Sequence, residues 1–128
     1  MTAIELRVLD GEYAVWKLPP DAPFPDLAED GGLLSVTRTA VELSVVARAD
    51  QASAGAPAEK GWSALEVAGP LAFELTGVLA AIASPLAEAA VPIFVISTFD
   101  TDYVLVRTAH LERAVDALEA AGHSVTKL

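Results

Sequence analysis

Residues 69–77 read Gly69-Pro70-Leu71-Ala72-Phe73-Glu74-Leu75-Thr76-Gly77, and residues 96–103 read Ile96-Ser97-Thr98-Phe99-Asp100-Thr101-Asp102-Tyr103. The segment between them is apolar. Thr76 is a helix-capping residue type, and Gly77 behind it leaves the backbone open. Leu79, Ile82, Leu86 and Ala89 or Ala90 follow at spacings of three and four, which predicts a helix. Pro85 lies inside it and should bend or locally break the hydrogen-bond ladder. Ile93 to Thr98 is a continuous apolar run, read as a buried strand, and Tyr103 to Arg107 returns antiparallel to it. Thr108 can cap a second helix with Leu111, Val115 and Leu118 on one face, and Gly122 ends it. His123 to Leu128 is the last strand, and Trp62 to Val67 precedes the whole set. Residues 62–128 thus read β-α-β-β-α-β, the ferredoxin-like order.

The N-terminal half reads as strand pairs with little helix. Ile4, Leu6 and Val8 alternate with Glu5 and Arg7, a strand pattern, and Asp10-Gly11 is a hairpin signal. Tyr13 to Leu18 is a second strand, stopped by Pro19-Pro20. Asp21 to Gly32 is a loop with room for one helical turn at Pro25 to Ala28. Leu33 to Thr37 and Leu43 to Arg48 are further strands, and Thr39 with Glu42 has capping-box spacing that fits a single helical turn. Ala49 to Lys60, rich in Ala, Ser, Gly and Pro, reads as a flexible connection. The expected organisation is an N-terminal sub-domain over 1–48, a connection over 49–60 and a C-terminal domain over 61–128. The first is taken as a shortened copy of the second, and the class is α+β.

With 128 residues, 53% of them hydrophobic, the chain can bury a sizeable interior. Its net charge of −10 repels phosphate backbones, so neither nucleic acid nor an anionic membrane surface is an expected partner. The absence of cysteine excludes disulfides, thiol catalysis and thiolate metal sites. Leu75 to Ile96 approaches the length of a membrane span, but Pro85, Glu88 and Pro92 interrupt it. The first residues, Thr2-Ala3-Ile4-Glu5-Leu6-Arg7, lack a basic head with an apolar run, so a cytoplasmic protein is expected.

The two opening stretches resemble the ACT family of ligand-sensing domains. More narrowly they are similar to the branch of small bacterial proteins and animal cytosolic arginine sensors. That branch carries Gly-Pro-Leu-Asp-Phe-x-Leu-Thr-Gly-Ile-Leu, a helix with Pro-Leu-Ala near its end, and Ile-Ser-Thr-Tyr/Phe-x-Thr-Asp-Tyr. Residues 69–106 match closely, and Ser35-Val36-Thr37-Arg38-Thr39 with Glu42-Leu43-Ser44-Val45-Val46 match the branch's first half. This chain departs at Ala72, where the branch usually has Asp. The resemblance implies tandem ACT-like units that bind an amino acid and regulate, without cofactor and without catalysis. It also implies sheets paired edge to edge, hence a homodimer.

Two clusters carry candidate chemistry. Thr76, Gly77 and Val78 are either an ordinary capped helix or an anion cradle for a carboxylate, because bare N–H groups at a helix start attract anions. Thr98, Phe99 and Asp102 are either a hairpin turn with local hydrogen bonds or the other wall of a ligand site. The resemblance implies that Asp102 holds an amino group or cationic side chain, that Thr98 gives a backbone or hydroxyl contact, and that Phe99 covers an aliphatic side chain. Glu74 either favours the helix dipole or faces the ligand's side chain. Asp100 and Asp102 form an Asp-x-Asp pair without an evident third metal ligand. His110 and His123 have no adjacent nucleophile or matched acid and read as surface or capping residues. No phosphate loop, dinucleotide fingerprint or nucleophile elbow is present. An interaction module with a degenerate ligand site is the alternative, and Ala72 favours it.

Overall fold

The computed structural model describes residues 3–29, 31–69 and 77–127. Among them are the strands β1 (Glu5–Val8), β2 (Tyr13–Leu18), β3 (Ser35–Arg38), β4 (Leu43–Arg48), β5 (Ala58–Val67), β6 (Ile93–Ser97), β7 (Asp102–Arg107) and β8 (Ser124–Lys127), and the helices α1 (Val78–Glu88) and α2 (Leu111–Ala120). The class is α+β, and β5 through β8 follow the β-α-β-β-α-β order. The chain packs as two compact units, one of Gly11–Trp62 and one of Met1–Asp10 with Ser63–Leu128.

In the second of these units the strand order is β6-β7-β5-β1-β8. β1 runs antiparallel to β5, with Leu6 opposite Val67, and parallel to β8, with Leu6 opposite Val125. The first strand therefore packs with the C-terminal unit and not with residues 11–48, where a division at 48 would put it. Its alternation explains the placement. Ile4, Leu6 and Val8 are buried in the core beneath α1 and α2, while Glu5 and Arg7 are exposed. Since β1 pairs with β5 and β8, Asp10-Gly11 closes no hairpin between β1 and β2.

The helix α1 buries Val78, Ile82 and Leu86, four residues apart, whereas Leu79 is 37% exposed. Ile82 and Leu86 lie on the buried face as expected, and Val78 takes the place expected of Leu79 at its start. The helix runs unbroken through Pro85. Proline has no N–H to give to the carbonyl of Ala81. His123 supplies the missing donor, its Nε2 lying 2.9 Å from that oxygen, and its Nδ1 accepts the Ile4 N–H at 3.0 Å. With Nδ1 accepting, Nε2 is the ring nitrogen left to donate to Ala81. His123 is thus a buried structural residue, 4% exposed, and not a surface cap.

Both helices close in the same way. After α1, Val91 N–H bonds the Leu86 carbonyl and Ala90 N–H bonds that of Ala87; after α2, His123 and Gly122 do the same to Leu118 and Glu119. This is the Schellman pattern, with a left-handed residue at Ala90 (φ 58°) and at Gly122 (φ 97°). The expected cap at Thr108 is not made. A 3-10 turn, Thr108–His110, precedes α2, and the Thr108 hydroxyl pairs with that of Ser63 at 2.9 Å.

In the unit of Gly11–Trp62 the order is β3-β4-β2-β5, all antiparallel, with Ala14, Trp16, Val45 and Ala47 as its core. No α-helix occurs among its described residues. The segment expected to connect is partly strand, because β5 begins at Ala58. Tyr13 faces Trp62 but Val15 faces Glu59, so β5 carries one extra residue there, and Gly61 takes the left-handed backbone (φ 84°) that such a bulge uses. Residues 25–28 form no helical turn; Ala28 N–H is held by the Gln51 side chain at 2.7 Å. Residues 39–42 are a hairpin turn, since β3 and β4 pair up to Arg38 opposite Leu43. The Thr39 hydroxyl accepts from the N–H groups of Val41 and Glu42.

Candidate functional site

The C-terminal end of β5 gathers the elements that matter. Beyond Val67 the chain passes through Ala68 and Gly69 toward the start of α1, and the turn between β6 and β7 is tied to the same point. Thr101, buried in that turn, donates its hydroxyl to the Val67 carbonyl at 2.6 Å. The turn is closed by Thr98 N–H to the Thr101 carbonyl at 2.8 Å, and the Thr98 hydroxyl bonds both the Thr101 carbonyl and its N–H. Thr98 has therefore spent its N–H and hydroxyl proton inside the turn, which leaves its carbonyl for any ligand.

Asp102 opens β7 directly opposite Ser97, and the Ser97 hydroxyl donates to its Oδ1 at 2.5 Å. A carboxylate held by one charge-assisted bond on one oxygen keeps acceptor capacity on the other. Phe99 stands at the tip of the turn with 79% of its surface exposed. The structure thus places Thr98, Phe99 and Asp102 together on one hairpin, with Ser97 and Thr101 bracing them. Neither of these two was singled out in the sequence; their signal was only the hydroxyl content of the quoted run.

At the other element, Gly77 stands in the N-cap position of α1 with φ 81°, a conformation that favours glycine, and no side chain among the described residues caps the helix there. Among the described residues nothing lies within 4 Å of where a Cβ would stand. Val78 is buried by its side chain, so it has only its main-chain N–H to present. Gly77 borders a groove of about 450 Å³ along α1, lined by Ala80, Ala81, Ser84, Pro85, Glu88 and Ala121 as well. None of the hairpin residues lines it. Glu74 and Thr76, the remaining two of the expected site, lie outside the described residues. Among the described residues no group of three or more His, Cys, Asp or Glu gathers as a metal site, and no helix is long and apolar enough to cross a membrane.

Residues 58–120 match the family model described as the ACT domain, which begins where β5 begins. A second model, described only as an N-terminal domain, matches residues 11–54. The crystal structure of protein Atu0741 from Agobacterium tumefaciens is 39% identical, spans 100% of this chain and 96% of that one, and superposes with a TM-score of 0.92. A Vibrio cholerae protein of unknown function is 20% identical over 93% of this chain and 90% of its own, with a TM-score of 0.71. The ligand-free regulatory subunit of aspartate kinase from Thermus thermophilus is 14% identical over 89% of this chain and 94% of its own, with a TM-score of 0.61. These last two share the fold alone. Full-length similarity to the Agobacterium protein together with the domain match means that the chain belongs to that protein's family and carries an ACT domain over residues 58–120.

Proposed function

We propose that this protein binds a free amino acid and acts as a regulatory sensor, working in the cytoplasm as a homodimer and without catalysis. The ligand site consists of Glu74, Thr76, Gly77, Val78, Thr98, Phe99 and Asp102. The carrying observation is the end of β5, from which the chain runs on to an αL-glycine helix start and to which an acid-bearing hairpin is tied. An amino acid needs an anion site for its carboxylate and an acid for its ammonium, and the main-chain N–H groups at the start of α1 and Asp102 are those two groups. The ACT match over this region supports the reading, as does the resemblance of residues 69–106 to the arginine-sensor branch. A sensor of this kind works because the ligand binds one arrangement of the subunits better than another.

Asp102→Asn tests it by removing the charge and keeping the shape. Loss of one charge-assisted contact should weaken binding by about 1.5–3 kcal/mol, roughly ten- to a hundred-fold, in calorimetric titration. Equal affinity in the variant would take Asp102 out of the site. Ala72, where the branch usually has Asp, favours a second reading, an interaction module whose ligand site has decayed. That reading predicts no heat with any amino acid.

A further inference from the structure

We propose that Thr101 is a positioning residue of the ligand site: its hydroxyl fixes the β6–β7 turn to the end of β5 and so sets where Asp102 and Phe99 stand. The inference rests on the amino-acid-binding reading and adds to it a residue that touches no ligand. Thr101 lies between two acids in a turn whose neighbours Phe99 and Asp100 are exposed, yet it is itself buried. Its hydroxyl proton goes to the carbonyl of Val67, the last residue of β5, at 2.6 Å. Its N–H and carbonyl are both bound to Thr98. One residue thus closes the turn on itself and ties the closed turn to the strand that leads into the start of α1.

The strand on the far side of β5 holds the other end of the clamp. Val67 is paired with Leu6, and Ala68 N–H bonds the Glu5 carbonyl at 2.9 Å. The exit of β5 is therefore fixed from β1, and Thr101 transmits that fixed point to the turn. Asp102, the next residue, is aimed by Ser97 and opens β7, which pairs with β5; Thr101 adds the tie that holds the turn ahead of that ladder to the end of β5. Binding that engages both the turn and the helix start needs the turn held in place, because a misplaced partner forfeits affinity.

The test uses the full chain and whichever of the twenty proteinogenic amino acids most raises the wild-type melting temperature, with affinity measured well below melting. Thr101→Ala and Thr101→Ser both lack the methyl group, so their difference isolates the hydroxyl. We expect the Ala variant to bind about ten-fold more weakly than the Ser variant, as for one lost hydrogen bond in position. Ser63→Ala, which removes the Ser63–Thr108 bond elsewhere in the same unit, should leave affinity unchanged. Equal affinities for Thr101→Ala and Thr101→Ser overturn the proposal while the sensor reading stands. An equal loss in Ser63→Ala also overturns it, as the effect would be one of stability. No response of the wild type to any amino acid removes the sensor reading, and the positioning role with it. If Thr101→Ala does not fold, Thr101→Val replaces it, compared with wild type at matched shape.

Discussion

His123 shows how a single side chain repairs a local fault. Pro85 strips the Ala81 carbonyl of its helical donor, and the buried imidazole restores it while accepting the Ile4 N–H. His123→Phe keeps an aromatic ring of similar size and leaves both backbone groups buried without a partner. Each should cost about 1–3 kcal/mol, so urea unfolding should show a loss of roughly 2–5 kcal/mol. A loss near that of a surface change would contradict the assignment. Ala90 presents the opposite case, a residue the fold would gain by changing. It holds the left-handed position that Gly122 holds after α2. Ala90→Gly should raise stability by roughly 0.5–1 kcal/mol, the strain of an L-residue there less the added freedom of glycine in the unfolded chain. Thermal melts of the two proteins check this. Pro85 and Gly122 were legible in the sequence as helix features. The pairing of His123 with Ala81 was not, because it joins residues far apart in the chain and depends on how β8 begins.

At the scale of elements, α1 was legible in existence and in most of its buried face, with Leu79 the exception. Val78-Leu79-Ala80-Ala81-Ile82-Ala83 is apolar throughout, so no polar residue marks which side faces water. Packing decides it, turning Val78, Ile82 and Leu86 inward and Leu79 outward. Ile82→Ala should therefore cost about 2–5 kcal/mol by opening a cavity in the core. Leu79→Ala should stay within about 0.5 kcal/mol, as a surface change does. Equilibrium unfolding of both variants checks this, and a loss at Leu79 as large as at Ile82 would contradict it. The strand β1 was legible as a strand from its alternation, but its partners were not. Sheet pairing is non-local, and β1 is one turn away from β2 in sequence while its ladder is with β5 and β8. The β5 bulge at Gly61 was hidden for a related reason. The connection was read as ending at Lys60, and that the ladder crosses Gly61 with one extra residue shows only once β2 is seen opposite it.

For the molecule as a whole, the candidate site was legible only as two separate clusters. The quoted runs gave Gly77 and the hairpin residues Thr98, Phe99 and Asp102, yet Ser97 and Thr101, which brace that hairpin, emerge only from cross-strand contacts. Among the described residues of the unit that carries the ACT match, β6 pairs only with β7 and carries Ile93-Phe94-Val95-Ile96 without a charge, whereas the opposite edge strand β8 carries Lys127. An uncharged apolar edge is the kind that natural proteins cover, and the proposed homodimer would cover it with a second copy. Sedimentation should find a dimer, and Ile96→Lys should shift it to monomer; a wild-type monomer at micromolar concentration would contradict the pairing. The central claim is that the chain binds a free amino acid, and ligand that binds only the folded state raises its stability in step with concentration. Calorimetric titration of the wild type with each of the twenty amino acids tests that claim most directly. The account predicts saturable heat with at least one of them, weakened about ten- to a hundred-fold in Asp102→Asn. Absence of heat with all of them would contradict it.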